Sequence, residues 1–151
     1  MIKVMFVCHG NICRSPMAEF VLKDMVEKMG CQKQFLITSS ATSTEEIGSA
    51  VHRGTREKLK QYGISTEGKY AIQLKKQDYQ QYDYILAMDK ANIRNIQRIV
   101  GYDTENKVYL LLSFAGKNRD IADPWYTGDF DKTYDDIVEG CSAFLDKILK
   151  R

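Results

Sequence analysis

The chain has 151 residues, 44% hydrophobic, 28% charged and 11% aromatic. That is enough for one domain with a sizeable core, so a single domain over residues 1–151 is expected, and disordered, collagenous or mucin-like chains are excluded. Lys and Arg number 22 against 20 Asp and Glu, a net +2 with no long run of one sign, so no nucleic-acid partner is expected; no apolar stretch approaches the ~18 residues that span a bilayer, so no membrane partner is expected either.

The elements follow in chain order. Residues 4–7, Val-Met-Phe-Val, predict a buried first strand. Ser15 as N-cap and Pro16 at the first helical position predict a helix start, and Ala18, Val21, Leu22, Met25 and Met29 continue it as one apolar stripe. Residues 35–37 predict a second strand. A helix over 55–62 turns Leu59 inward and stops at Gly63. A short helix over 76–82 precedes a third strand over 84–88. After Asp89 comes a helix with Ile93, Ile96 and Val100 inward and Gly101 as its stop. A fourth strand covers 108–112. Residues 113–130 have no periodicity, and a loop of that length in a compact domain is usually functional. Tyr134, Ile137, Val138, Cys141, Leu145, Ile148 and Leu149 trace the last helix. The strand runs are continuously apolar, which marks strands covered on both faces. The alternation predicts an α/β fold, a four-stranded parallel sheet with helices on both faces.

Four cysteines, Cys8, Cys13, Cys31 and Cys141, are few for a disulfide scaffold. None has zinc-ligand spacing, and His9 and His52 are far apart, so no metal is expected. Residues 1–7 form too short an apolar run for a signal peptide. The default is a cytoplasmic protein with free thiols, in which a cysteine matters through its reactivity.

In open parallel sheets ligands sit beyond the carboxyl ends of the strands. Strand one ends at Cys8, followed by His9-Gly10-Asn11-Ile12-Cys13-Arg14-Ser15-Pro16. Gly10 and Asn11 both tolerate positive φ, so the chain can curl and turn successive N–H groups inward. The helix start adds free N–H groups and the positive end of its dipole. Together these make an oxyanion cradle. Arg14 adds a planar fork for two phosphate oxygens. Cys8 sits in the same positive field, which favours the thiolate and a nucleophilic role.

The string VCHGNICRSPMAE resembles the phosphate loop of the low-molecular-weight protein tyrosine phosphatases. The resemblance runs on through Asp83-Tyr84-Ile85 and Met88-Asp89 to Asp123-Pro124-Trp125-Tyr126. It implies a phosphatase that cleaves phosphotyrosine in proteins through a phosphocysteine and releases inorganic phosphate, with no cofactor. By resemblance Cys8 is the nucleophile and Arg14 the phosphate clamp. Asn11 would stabilise the left-handed turn of the loop and Ser15 would donate to the thiolate. Residues His9 to Cys13 together with Ser15 would surround the bound phosphate.

A phenolate leaving group needs a proton, hence a general acid. Asp123 lies in the aperiodic stretch, and Pro124 restricts it to extended conformations. The family's matching aspartate is the acid, and then the base for the attacking water. Trp125 and Tyr126 read as walls for a phenyl ring; many relatives carry tyrosine where Trp125 stands. Family members can join the cysteines matching Cys8 and Cys13 as a reversible disulfide. Asp89 reads as structural or a helix N-cap, and His52 as a partly exposed residue at a helix start. Glu45 and Glu46 put two negative charges near the mouth. Arsenate reductase, which uses the same loop, is disfavoured because no cysteine lies between Cys31 and Cys141. A phosphoarginine phosphatase is a second rival, disfavoured by Ile12 where such members carry threonine. A silent phosphopeptide-binding module would be expected to lack Cys8 or Asp123.

Overall fold

The computed structural model describes residues 1–151. In chain order the elements are β1 (Ile2–Cys8), α1 (Arg14–Lys28), β2 (Phe35–Ala41), α2 (Arg53–Lys60), α3 (Asp78–Gln81), β3 (Tyr84–Ala87), α4 (Lys90–Val100), β4 (Val108–Leu110), α5 (Pro124–Thr127) and α6 (Phe130–Ile148). The four strands lie in the order β2-β1-β3-β4, every pair parallel. Cys8 pairs with Ala41, and Val7 with Ala87, so β1 ends between its two neighbours.

The period of two along β1 builds two cores. Val4, Phe6 and Cys8 join Leu22, Val26, Ile137, Phe144 and Leu145 on the face covered by α1 and α6. Met5 and Val7 join Leu74, Tyr79, Ile96 and Val100 on the face covered by α3 and α4. The near-continuous apolar run of β1 is thus explained by burial on both sides. No helix is long and apolar enough to cross a membrane.

Three local expectations are corrected. Helix α1 begins at Arg14 with Cys13 as its N-cap residue, so Ser15 lies inside the first turn and its hydroxyl caps nothing. Gly10 does not use positive φ; in the loop only Asn11 does, at 57°. Strand β4 stops at Leu110, because Leu111 and Leu112 curl into a 3-10 turn over Leu111–Ala115. A continued strand would send those two leucines to opposite faces; the turn buries both. Leu111 fits against α6 at Gly140, where a Cβ would lie 2.6 Å from its Cγ. The aperiodic stretch holds the four-residue helix α5 with Asp123 as N-cap and Pro124 at its first turn.

Candidate active site

The site is built at the carboxyl end of β1. The loop carbonyls are bound outward: Thr42 donates to Cys8 O at 3.0 Å, Ser43 to His9 O at 3.0 Å, and His52 to Ile12 O at 2.8 Å. The Thr55 hydroxyl donates to Cys13 O at 3.1 Å. None of His9, Gly10, Ile12 and Cys13 donates its own N–H to a backbone carbonyl. Those donors, with the open first turn of α1, form a nest for an anion.

Asn11 holds the curl from inside. Its Oδ1 accepts the Ile72 N–H at 3.1 Å, and its Nδ2 donates to Ser15 Oγ at 2.7 Å and Ser39 Oγ at 2.9 Å. The Asn11 N–H points at Cys8 Sγ from 3.3 Å and Ser15 Oγ lies 3.0 Å from that sulfur. Asn11 and Ser15 are buried behind Cys8 and do not line the cleft.

Arg14 is 3% exposed. Its Nη1 donates to Asp89 Oδ2 at 2.7 Å and to Ile121 O at 2.8 Å, and its Nη2 lies 3.5 Å from Asp123 Oδ2. Burial works against the guanidinium charge, but Cys8, Asp89 and Asp123 outweigh it and raise its pKa. Asp89 follows β3 and caps α4, so one carboxylate ties the clamp to the next strand's end.

Asp123 is oriented by its own backbone: Oδ1 accepts the Trp125 N–H at 3.0 Å. That leaves Oδ2 without a backbone hydrogen bond, 3.5 Å from Arg14 Nη2. Cys13 is buried, and burial together with Cys8 and Asp123 pushes its thiol up to about 12. Cys13 is therefore held as a thiol at neutral pH.

The resulting cleft of about 130 Å³ is lined by Cys8, His9, Gly10, Ile12, Cys13 and Arg14 from the loop. Asp123, Trp125 and Tyr126 line it from the α5 side and Glu45 and Glu46 from the segment after β2. His9 Nε2 sits 2.7 Å from Glu45 Oε2 at the rim. Trp125 is 57% and Tyr126 83% exposed, so both rings stand at the mouth. His52 is the N-cap of α2, its Nδ1 accepting the Gly54 N–H. Its ring stacks on Phe130 at 5.4 Å and meets Trp125 edge-on at 5.5 Å. Gly54 is required there: a Cβ would fall 2.3 Å from Phe130 Cζ. No group of three or more His, Cys, Asp or Glu side chains is placed to hold a metal ion.

Sequence reasoning missed the grip of Asp89 and the Ile121 carbonyl on Arg14, and the Ser39 and Glu19 side chains behind Asn11. A signal existed for Asp89 alone, since it follows a strand parallel and adjacent to β1.

Residues 3–151 match the family model described as low molecular weight phosphotyrosine protein phosphatase. The chain is 39% identical over 152 residues to the Bacillus subtilis low molecular weight protein-tyrosine-phosphatase YfkJ, covering 99% of this chain and 97% of that protein. The YfkJ crystal structure superposes with a TM-score of 0.95, over 99% of this chain and 96% of that one. A Gallus gallus low molecular weight phosphotyrosine protein phosphatase is 40% identical over 95% of this chain and 94% of its own. A Drosophila arginine phosphatase structure is 33% identical with a TM-score of 0.89, covering 97% of this chain and 98% of that one. With a model match over nearly its whole length and relatives this similar, the chain belongs to the low molecular weight phosphotyrosine protein phosphatase family.

Proposed function

We propose that this protein hydrolyses phosphotyrosine in protein substrates by two in-line displacements at phosphorus. The single observation that carries the reading is the sulfur of Cys8, with the Asn11 N–H pointed at it and the Ser15 oxygen 3.0 Å away, below an N–H nest that also holds Arg14. The Cys8 thiolate attacks phosphorus as the bond to the tyrosyl oxygen breaks. Asp123 Oδ2 gives its proton to the departing phenolate. The same carboxylate then takes a proton from water, whose oxygen attacks the phosphocysteine. The sulfur leaves as thiolate and inorganic phosphate is released. Arg14 and the nest supply the countercharge at the equatorial oxygens. His9, Gly10, Ile12 and Cys13 form the walls and floor against the phosphate, with Trp125 and Tyr126 as flanking rings. We place the reaction in the cytoplasm, where free thiols persist.

The test is Cys8→Ser. Turnover of an aryl phosphate should vanish while phosphate still binds, because the nest and Arg14 remain. A residual rate above about one per cent of wild type would overturn the covalent route, since removing a nucleophile normally costs several powers of ten.

A further inference from the structure

Helix α5 carries Asp123 at its N-cap, yet no hydrogen bond joins residues 124–127 to anything outside residues 123–129. Its backbone bonds close on themselves. Tyr126 and Thr127 donate to Asp123 O and Gly128 donates to Pro124 O. Ahead of the helix, Ala122 O accepts the Thr133 hydroxyl at 3.3 Å. The Arg14 guanidinium attracts the Asp123 carboxylate from 3.5 Å without hydrogen-bonding it. The helix itself is therefore held to the body by packing. Pro124 is buried, and the Trp125 ring meets the His52 ring edge-on, centroids 5.5 Å apart at 77°.

His52 is fixed from three sides. Its N–H donates to Ile12 O of the Cys8 loop at 2.8 Å. Its Nδ1 accepts the Gly54 N–H at 3.0 Å and caps α2. Its ring stacks on Phe130 at 5.4 Å and 18°. Phe130 lies so close to Gly54 that no side chain fits between them, which stops that ring from sliding. Phe130 also opens α6, one residue after Asp129, so the imidazole stands between the two ends of the acid-bearing segment. Edge-on and stacked rings prefer particular angles and do not merely bury area. The imidazole thus sets the attitude of Trp125, and the Trp125 N–H holds Asp123 Oδ1 at 3.0 Å.

We propose that His52 is a positioning residue for the general acid: its ring fixes Trp125, and through the Trp125 N–H the Asp123 carboxyl, relative to the loop that holds Cys8 and Arg14. The proposal rests on Asp123 being the acid. Ring and cap can be separated, because an amide at position 52 keeps a capping oxygen without the ring, and a phenyl keeps the ring without the cap. The backbone bond to Ile12 survives both changes.

The experiment compares kcat/KM for phenyl phosphate, a poor leaving group, with that for a nitrophenyl phosphate, a good one. The ratio of the two reports proton donation, because only the poor leaving group needs it. A damaged pocket wall or a partly unfolded sample lowers both and leaves the ratio alone. His52→Asn should lower the ratio about tenfold with Tm unchanged, a fraction of what a general acid supplies. His52→Phe should keep the ratio within about twofold of wild type while Tm falls by about 2–4 °C as the cap is lost. Trp125→Leu should lower the ratio by itself, and adding His52→Asn to it should lower it no further, since the route through Trp125 is already cut. That double variant keeps the proposal testable if His52→Phe does not fold. A wild-type ratio in His52→Asn, equal losses in the Asn and Phe variants, or a second tenfold loss in the double variant would each overturn the positioning role while leaving Asp123 as the acid. An Asp123→Ala control that kept the wild-type ratio would instead overturn the acid itself, and the positioning role with it.

Discussion

Asp89 spends each carboxylate oxygen on a different partner. Oδ1 accepts the Asn92 N–H at 2.7 Å and caps α4, while Oδ2 accepts Arg14 Nη1 at 2.7 Å. Asparagine has one oxygen, so Asp89→Asn must give up one of the two. The cap is worth about 1 kcal/mol. A hydrogen bond to a buried charge is worth about 1.5–3 kcal/mol, and Arg14 is 3% exposed. The variant therefore keeps its oxygen on Arg14 and surrenders the cap. The expected result is a Tm lower by about 2–4 °C, the shift that 1 kcal/mol gives a chain of this size. The kcat/KM for an aryl phosphate should fall less than about tenfold. Asp89→Ala loses both bonds and leaves a buried guanidinium with only the Ile121 carbonyl on that nitrogen. A loss of about 3 kcal/mol in stability follows, with kcat/KM down about a hundredfold as the clamp loses its orientation. Thermal unfolding and steady-state kinetics on the three proteins decide it. If Asn and Ala lose kcat/KM equally, the division of labour between the two oxygens is wrong.

Three further outcomes are expected. Asp123→Ala should slow substrates with poor leaving groups far more than those with good ones, because only the former need the proton; equal losses across a series of phenols would remove Asp123 as the acid. Peroxide should inactivate reversibly: Cys8 becomes a sulfenic acid, Cys13 sulfur attacks it, and the oxygen leaves as water while an S–S bond forms. A Cys13→Ser variant that recovers just as fully on adding thiol would refute this. Ile12 lines the cleft and offers a phenyl ring an apolar contact, so phosphotyrosine peptides should be strongly preferred to phosphoarginine peptides. Ile12→Thr should erode that preference, and no change in the kcat/KM ratio would sink the argument.

The sheet and its Cys8 loop could be read directly because their signals are local. A continuous apolar run at 4–7 ends in a cysteine, a left-handed asparagine and a helix start, all within a dozen residues. What escaped reading is set by packing between distant segments. Leu111 and Leu112 look like strand residues until the close approach of α6 at Gly140 makes a turn the better way to bury both. Ser15 has the composition of a cap, yet the sulfur of Cys8 is where its oxygen lies. Glu19 sits on a helix among buried apolar residues such as Ala18 and Leu22, and nothing in its spacing announces a hydroxyl arriving from β2. The sequence puts His52 at a helix start, and its cap geometry agrees. Its stack on Phe130 joins residues 78 positions apart and could not be read from pattern.

The strand that carries Cys8 is made long before its surroundings are. β1 stands inside the sheet, so one of its edges stays open until β3 has been synthesised. Its α1 face is roofed by Ile137, Phe144 and Leu145, which are synthesised more than 120 residues after it. Arg14 cannot settle until Asp89 and Ile121 exist. Such pairings across long sequence separations fold slowly. A ribosome-bound chain that ends near residue 80 therefore displays the Cys8 loop with Arg14 unanchored, and without Asp123 or the roof of α6. Cys8 gains its full surroundings only when α6 has left the exit tunnel, which ties the onset of activity to synthesis of that helix.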